Sequence, residues 1–177
     1  MNSITNEGLE VLKIAEGFQK VAYWDVNGWA IGYGNHYYSN GSKVQQYDTI
    51  TKERAEIEFL KVLSSTGKSV MKLVKVPLSD NQFTALVMYT YNRGIGSFGG
   101  STLLKMVNKN PNDSAIPNQF VKEWGTNQEY KKVLIERRAK EAEIYAKGSS
   151  TDIYTILKTI AFLGFGYWLI KKYLSRK

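Results

Sequence analysis

Apolar side chains recur at helical spacing at Leu9, Leu12 and Ala15, behind a polar start at Thr5 and Asn6 and an Ile4 placed to staple the first turn. The pattern predicts a helix capped by Thr5 or Asn6 and stopped by Gly17. From Phe18 aromatic and β-branched residues dominate, with Asn27-Gly28 and Asn40-Gly41 as hairpin-turn signals, so a small antiparallel sheet is expected over roughly 18–47. Helical spacing returns after Asp48. Thr51 is placed to cap a helix to about Ser64, a second helix is expected over about 67–75, and Pro77 breaks the pattern. Ser79-Asp80-Asn81-Gln82 has capping-box spacing and opens a helix whose Phe83, Leu86, Val87 and Tyr91 leave it nearly apolar along its length, as a central helix would be. Asn92-Arg93-Gly94-Ile95-Gly96 reads as the turn that ends it. Ser101 caps STLLKMVN, and after a polar loop with Pro111 and Pro117 come helices near 115–124 and 130–146. A small sheet followed by helices is an α+β chain.

Beyond Gly148-Ser149-Ser150-Thr151, which reads as a linker, Ile153 to Ile170 is apolar apart from Thr155, Lys158 and Thr159, with Tyr154, Tyr167 and Trp168 toward its ends. A run of about 18 residues is the lower edge for crossing a hydrocarbon core. It is apolar all round and follows a domain that already looks complete, which favours a membrane anchor over a buried terminal helix. The expected organisation is a domain at 1–147, a linker at 148–151, and one C-terminal transmembrane helix with a basic tail at 152–177. Lys171, Lys172, Arg176 and Lys177 put that tail on the cytoplasmic side and the domain on the other. MNSITNEGLEVL has neither the basic start nor the apolar run of a secretory signal.

Composition changes this picture little. With 177 residues, 43% hydrophobic and 23% charged, the chain supports one ordinary core and is not compositionally disordered. The absence of cysteine excludes a disulfide framework, thiolate metal sites and a cysteine nucleophile. Of the net charge of +8, half lies in 149–177, so the domain itself is only mildly basic. That balance suits an anionic wall polymer, and a nucleic-acid partner would rest on charge alone.

Two carboxylates flank the first expected strand. Glu16 sits in the last helical turn, where it opposes the negative end of the helix dipole and a purely structural choice would be Lys or Arg. Asp25 precedes the turn. Glycosidic hydrolysis needs one proton donor and one base or nucleophile, but spacing alone fits ordinary surface carboxylates as well. Gly32 and Gly34 lack the following helix of a phosphate-binding fingerprint.

EGFQKVAYWDVNGWAIGYGN resembles the active-site segment of the phage-type lysozymes, or endolysins, of glycoside hydrolase family 24. The similarity continues in order through DTITKERAE, NQFTALVMYTYNRGIGSFGGSTLLKMVN and VLIERRAKEAE, covering nearly all of 7–147. It implies a lysozyme-like α+β fold and cleavage, with inversion, of the β-1,4 bond between N-acetylmuramic acid and N-acetylglucosamine in peptidoglycan. No metal or organic cofactor is implied. The resemblance makes Glu16 the general acid and Asp25 the carboxylate that orients or activates water. Arg137 or Arg138 corresponds to the arginine near the acid, though either could be a solvated helix charge. Asn92, in the family's Asn-x-Gly turn, is a sugar contact or a helix C-cap. His36, the sole histidine, is a further substrate-binding candidate, with packing beside Tyr37 and Tyr38 as its plainer role and no metal site of its own.

The sequence departs from the family pattern at Ala30, where a threonine usually works with the aspartate to hold water. Alanine has no hydroxyl to offer. Three outcomes follow. Asp25 positions water alone or with Asn35 or His36, a lytic transglycosylase uses the substrate's own hydroxyl, or the domain only binds glycan.

Overall fold

The computed structural model describes residues 2–26, 28–125 and 128–148. The expected membrane helix at 152–177, and all of the expected linker but Gly148, lie outside the described residues. Among those described, no helix is long and apolar enough to cross a membrane. Gly148 is packed, since a Cβ there would stand 2.0 Å from Ser79 Oγ.

Local signals set most boundaries. Thr5 Oγ1 accepts from Gly8 N–H at 3.2 Å and opens α1 (Asn6–Glu16), which Gly17 ends with φ 69°. An L-residue rarely adopts that conformation, so the glycine fixes Glu16 as the last helical residue. β1 (Gln19–Asp25) and β2 (Gly28–Gly32) form an antiparallel pair with Tyr23 opposite Ala30, Trp24 opposite Trp29 and Asp25 opposite Gly28. The broader sheet expected to 47 reduces, after Gly32, to isolated bridges such as Tyr37 with Lys43. Here side-chain bonds add to a few backbone ones, such as Val44 N–H to the His36 carbonyl. Asn40 Oδ1 accepts from Ser42 N–H, and Asp48 Oδ2 accepts from both Tyr38 O–H and Gln45 N–H.

The two helices expected over 51–75 are one, α2 (Lys52–Leu73), capped by Thr51 and continuous through Gly67. Gly67 serves packing instead of termination, because a Cβ there would lie 2.9 Å from Phe83 Cζ. Phe83 belongs to α3 (Asp80–Arg93), which opens with the expected Ser79/Gln82 capping box and is buried at every position from Gln82 to Thr90. Four helices complete the described chain: α4 (Ile95–Gly100), α5 (Thr102–Lys109), α6 (Ile116–Lys122) and α7 (Lys131–Ala146). α4 was not anticipated and inserts the fully buried Phe98. Ser101 caps α5 through Leu104 N–H at 3.0 Å.

α3 is the axis of the core. Phe59 and Leu63 of α2, Leu86 of α3, Phe120 of α6 and Tyr145 of α7 are each fully enclosed in one hydrophobic cluster. Burying a side chain of this size contributes about 1.5–3 kcal/mol. The buried face of α7 also carries two charges, Arg138 and Glu141, both fully enclosed. They lead to the site.

Candidate active site

α1, the hairpin, α2 and the end of α3 surround a cleft of about 1050 Å³ lined by Glu16, Asp25, His36, Tyr91, Asn92 and Arg93, among others. Glu16 enters from the last residue of α1. Its Oε1 accepts from Arg137 Nη2, and Gly34 passes close to the other oxygen.

Arg137 and Arg138 are consecutive on α7, so the helix turns them in different directions. Arg137 reaches Glu16, while Arg138 is fully buried and donates through Nη2 to Glu141 Oε1 at 2.7 Å and to Asn92 Oδ1 at 2.9 Å. Glu141 Oε1 also lies 3.7 Å from Arg137 Nε. The result is a continuous chain, Glu16–Arg137–Glu141–Arg138–Asn92, running under one wall of the cleft. Below it the Arg138 guanidinium stands 4.9 Å over the Tyr89 ring, whose O–H donates to Glu123 at 2.7 Å.

This chain is compact but incompletely satisfied. Among the described residues, Glu141 Oε2 and Arg138 Nε and Nη1 have no hydrogen-bond partner. Loss of solvation therefore dominates: it pushes Glu141 up to about 7 against the opposing pull of Arg138 and Arg137, and it lowers Arg138. Both directions say that burial disfavours the charges.

Asp25 is held differently. Its Oδ1 accepts from Val26 N–H at 2.7 Å, and its Oδ2 lies 3.4 Å from His36 Nε2. The opposite ring nitrogen, Nδ1, lies 3.2 Å from the Trp29 carbonyl oxygen. Ala30 is fully buried and shares a cross-strand pair with Tyr23, on the same face of the hairpin as Asp25. Nothing at position 30 offers Asp25 a donor. Burial, with the nearby negative charges of Asp25 and Glu16, raises Tyr23, and burial followed by Glu16 raises Tyr91, so both phenols stay protonated. Tyr91 donates to the Tyr33 carbonyl at 2.9 Å and closes the cleft floor.

The six residues singled out in sequence fall into two groups. Glu16, Asp25, His36 and Asn92 line the cleft. Arg137 meets the cleft through Glu16, and Arg138 reaches it only by holding Asn92. The helix end itself is closed by Gly94, not by the Asn92 side chain. Glu141 was missed, although its spacing is a readable signal, four residues after Arg137 and three after Arg138. Among the described residues no cluster of three or more His, Cys, Asp or Glu could hold a metal.

Residues 13–141 match the phage lysozyme family. The endolysin of Bacillus phage B103 is 32% identical over 154 residues, covering 85% of this chain and 57% of that protein. This chain thus spans a little over half the length of that relative. The endolysin of Salmonella phage P22 is 32% identical over 147 residues, 82% of this chain and 99% of that protein. Among solved structures, the muramidase domain of SpmX from Asticaccaulis excentricus superposes with a TM-score of 0.71 at 29% identity, over 82% of this chain and 98% of that one.

Proposed function

The chain belongs to the phage lysozyme family, a glycoside hydrolase lineage, and from that premise we propose that it is a muramidase cleaving the β-1,4 bond between N-acetylmuramic acid and N-acetylglucosamine in peptidoglycan. The observation that carries this reading is the pair of carboxylates on one cleft, Glu16 tied to Arg137 at a helix end and Asp25 at the hairpin turn.

In the proposed reaction Glu16 gives its proton to the glycosidic oxygen as the carbon–oxygen bond breaks. Asp25 takes a proton from a water that attacks the anomeric carbon from the opposite face, which inverts the configuration. Arg137 receives the negative charge that Glu16 acquires. Asn92, with its Oδ1 fixed by Arg138, is left to donate its amide N–H groups to sugar oxygens. The apolar run 153–170 and the basic end beyond it support a membrane tether that keeps the domain near the wall, in phage entry or in host lysis.

Purified protein incubated with peptidoglycan is expected to release new reducing ends. Release of 1,6-anhydromuramic products would identify a transglycosylase instead, and retention without cleavage would identify a binding domain. Glu16→Gln is expected to lower kcat by about 10²- to 10⁴-fold, the range of a lost general acid; full activity in that variant would remove Glu16 from the mechanism. For the tether, the full chain should remain with membranes after alkaline carbonate extraction, and its release would dismiss the anchor.

A further inference from the structure

We propose that His36 is the positioning residue for Asp25, supplying from position 36 the donor that Ala30 cannot. The inference rests on the hydrolase reading above, in which Asp25 handles the water.

The geometry of the ring carries it. A carbonyl oxygen only accepts, so the 3.2 Å contact from His36 Nδ1 to Trp29 O places a proton on Nδ1. Nε2 then faces Asp25 Oδ2 at 3.4 Å, within ion-pair distance. On the other side of the carboxylate, Val26 N–H holds Oδ1 at 2.7 Å. The carboxylate plane is therefore set from both ends, while each oxygen keeps a further lone pair for water.

Other donors are not placed for this work. Position 30 is enclosed and apolar. The other cationic side chains lining the cleft, Lys43 and Arg93, form no ion pair with Asp25 among the described residues. His36 is anchored to the backbone of β2, the strand paired with the one that carries Asp25, so base and holder belong to one hairpin. The arrangement is specific to the carboxylate. A histidine that merely packed beside its neighbouring tyrosines would have no need to satisfy both ring nitrogens along this line.

In the balanced step, Asp25 accepts the proton of water, the water oxygen bonds to the anomeric carbon, and the departing glycosidic oxygen takes the proton of Glu16. His36 exchanges no proton with the substrate. It keeps Asp25 in line with the attack.

The test is a kinetic cycle on soluble peptidoglycan fragments with His36→Ala, Asp25→Asn and the double variant, each checked for a native melting transition. His36→Ala is expected to lower kcat by about 10- to 100-fold, the scale of a misplaced catalytic group, with KM within about 3-fold of the parent. In the Asp25→Asn background the same change is expected to have no further effect. His36→Gln keeps the side chain's reach and one N–H donor and is expected to fall between, which also covers a poorly folding alanine variant. An unchanged kcat in both His36 variants overturns the inference, as does an equal loss with and without Asp25. Full activity in Asp25→Asn would overturn the hydrolase assignment of Asp25 and the inference with it, whereas an inactive Asp25→Asn beside an active His36→Ala removes the inference alone.

Discussion

Glu16 and Asp25 face the same cleft, but 18% of the Glu16 side chain is exposed against 44% of Asp25. Glu16 is tied to Arg137, more than a hundred positions away, and through it to two fully buried charged groups, Glu141 and Arg138. Asp25 is held by its own neighbour, Val26, and by a histidine fixed to the same hairpin. The proposed acid thus depends on the whole fold, while the proposed base depends on one local segment. The difference teaches where each half is vulnerable: damage to the buried charges behind Glu16 should appear first as lost stability, and damage to the segment around Asp25 as lost turnover.

The strongest challenge to that contrast is Arg138→Ala. Removing one partner strands Glu141 in the core, and we expect a stability loss of about 3–5 kcal/mol by chemical denaturation. A loss below about 1 kcal/mol would show that the buried chain is incidental to the fold.

Glu141→Gln sharpens the same side. The folded protein holds the Glu141 proton up to about pH 7, against a usual 4.5, so the stability linked to that proton is present below 4.5 and lost as the pH rises through 7. Between those limits the parent should lose roughly 1–3 kcal/mol from this group. The variant, which mimics the neutral acid, should be close to the parent at low pH and flatter across the window, which melting curves at several pH values will show. An equally steep decline in the variant would place the titration elsewhere.

On the base side, Ala30→Thr adds a methyl and a hydroxyl to an enclosed site beneath Tyr23. We expect a cost of about 1–2 kcal/mol and no gain in kcat. A rise in hydrolysis would mean that the hydroxyl reaches Asp25 and that the hairpin does not need His36. The smallest effect is expected for Trp24→Ala. Trp24 is 67% exposed and meets Trp29 edge-on with ring centroids 5.5 Å apart, worth about 0.5–1 kcal/mol. If it cost as much as Arg138→Ala, the division into a global and a local half would fail.

The same division explains what could be read from sequence. Thr5, Thr51, Ser79 and Ser101 each cap a helix through a bond to a backbone N–H within three residues; the last three were legible outright and Thr5 as one of two candidates, because their cause is local. The expected division of the helix near 64–67 did not occur, and Gly67 there packs against Phe83, on another helix. The sheet was overestimated because Asn40 and Asp48 divert the backbone with side-chain bonds that a pattern of aromatic and β-branched residues does not reveal. Glu16 and Asp25 stood out by motif. Which arginine meets the acid was not legible, since adjacent residues on α7 differ only in direction, and direction is set by how α7 packs on α3. His36 could be noticed as the only histidine, but its bond to Trp29 depends on how the chain returns after Gly32.

One property of the hairpin bears on engineering. From Glu16 to His36 the chain contributes both carboxylates and the imidazole within a single continuous stretch, while Arg137 and Asn92 come from distant helices. Exchanging residues 18–36 with a relative would therefore transplant the proposed water-handling module as a cassette, leaving the proposed proton donor in its original socket. Chimeras of this kind could vary hydrolytic chemistry across the family without redesigning the core.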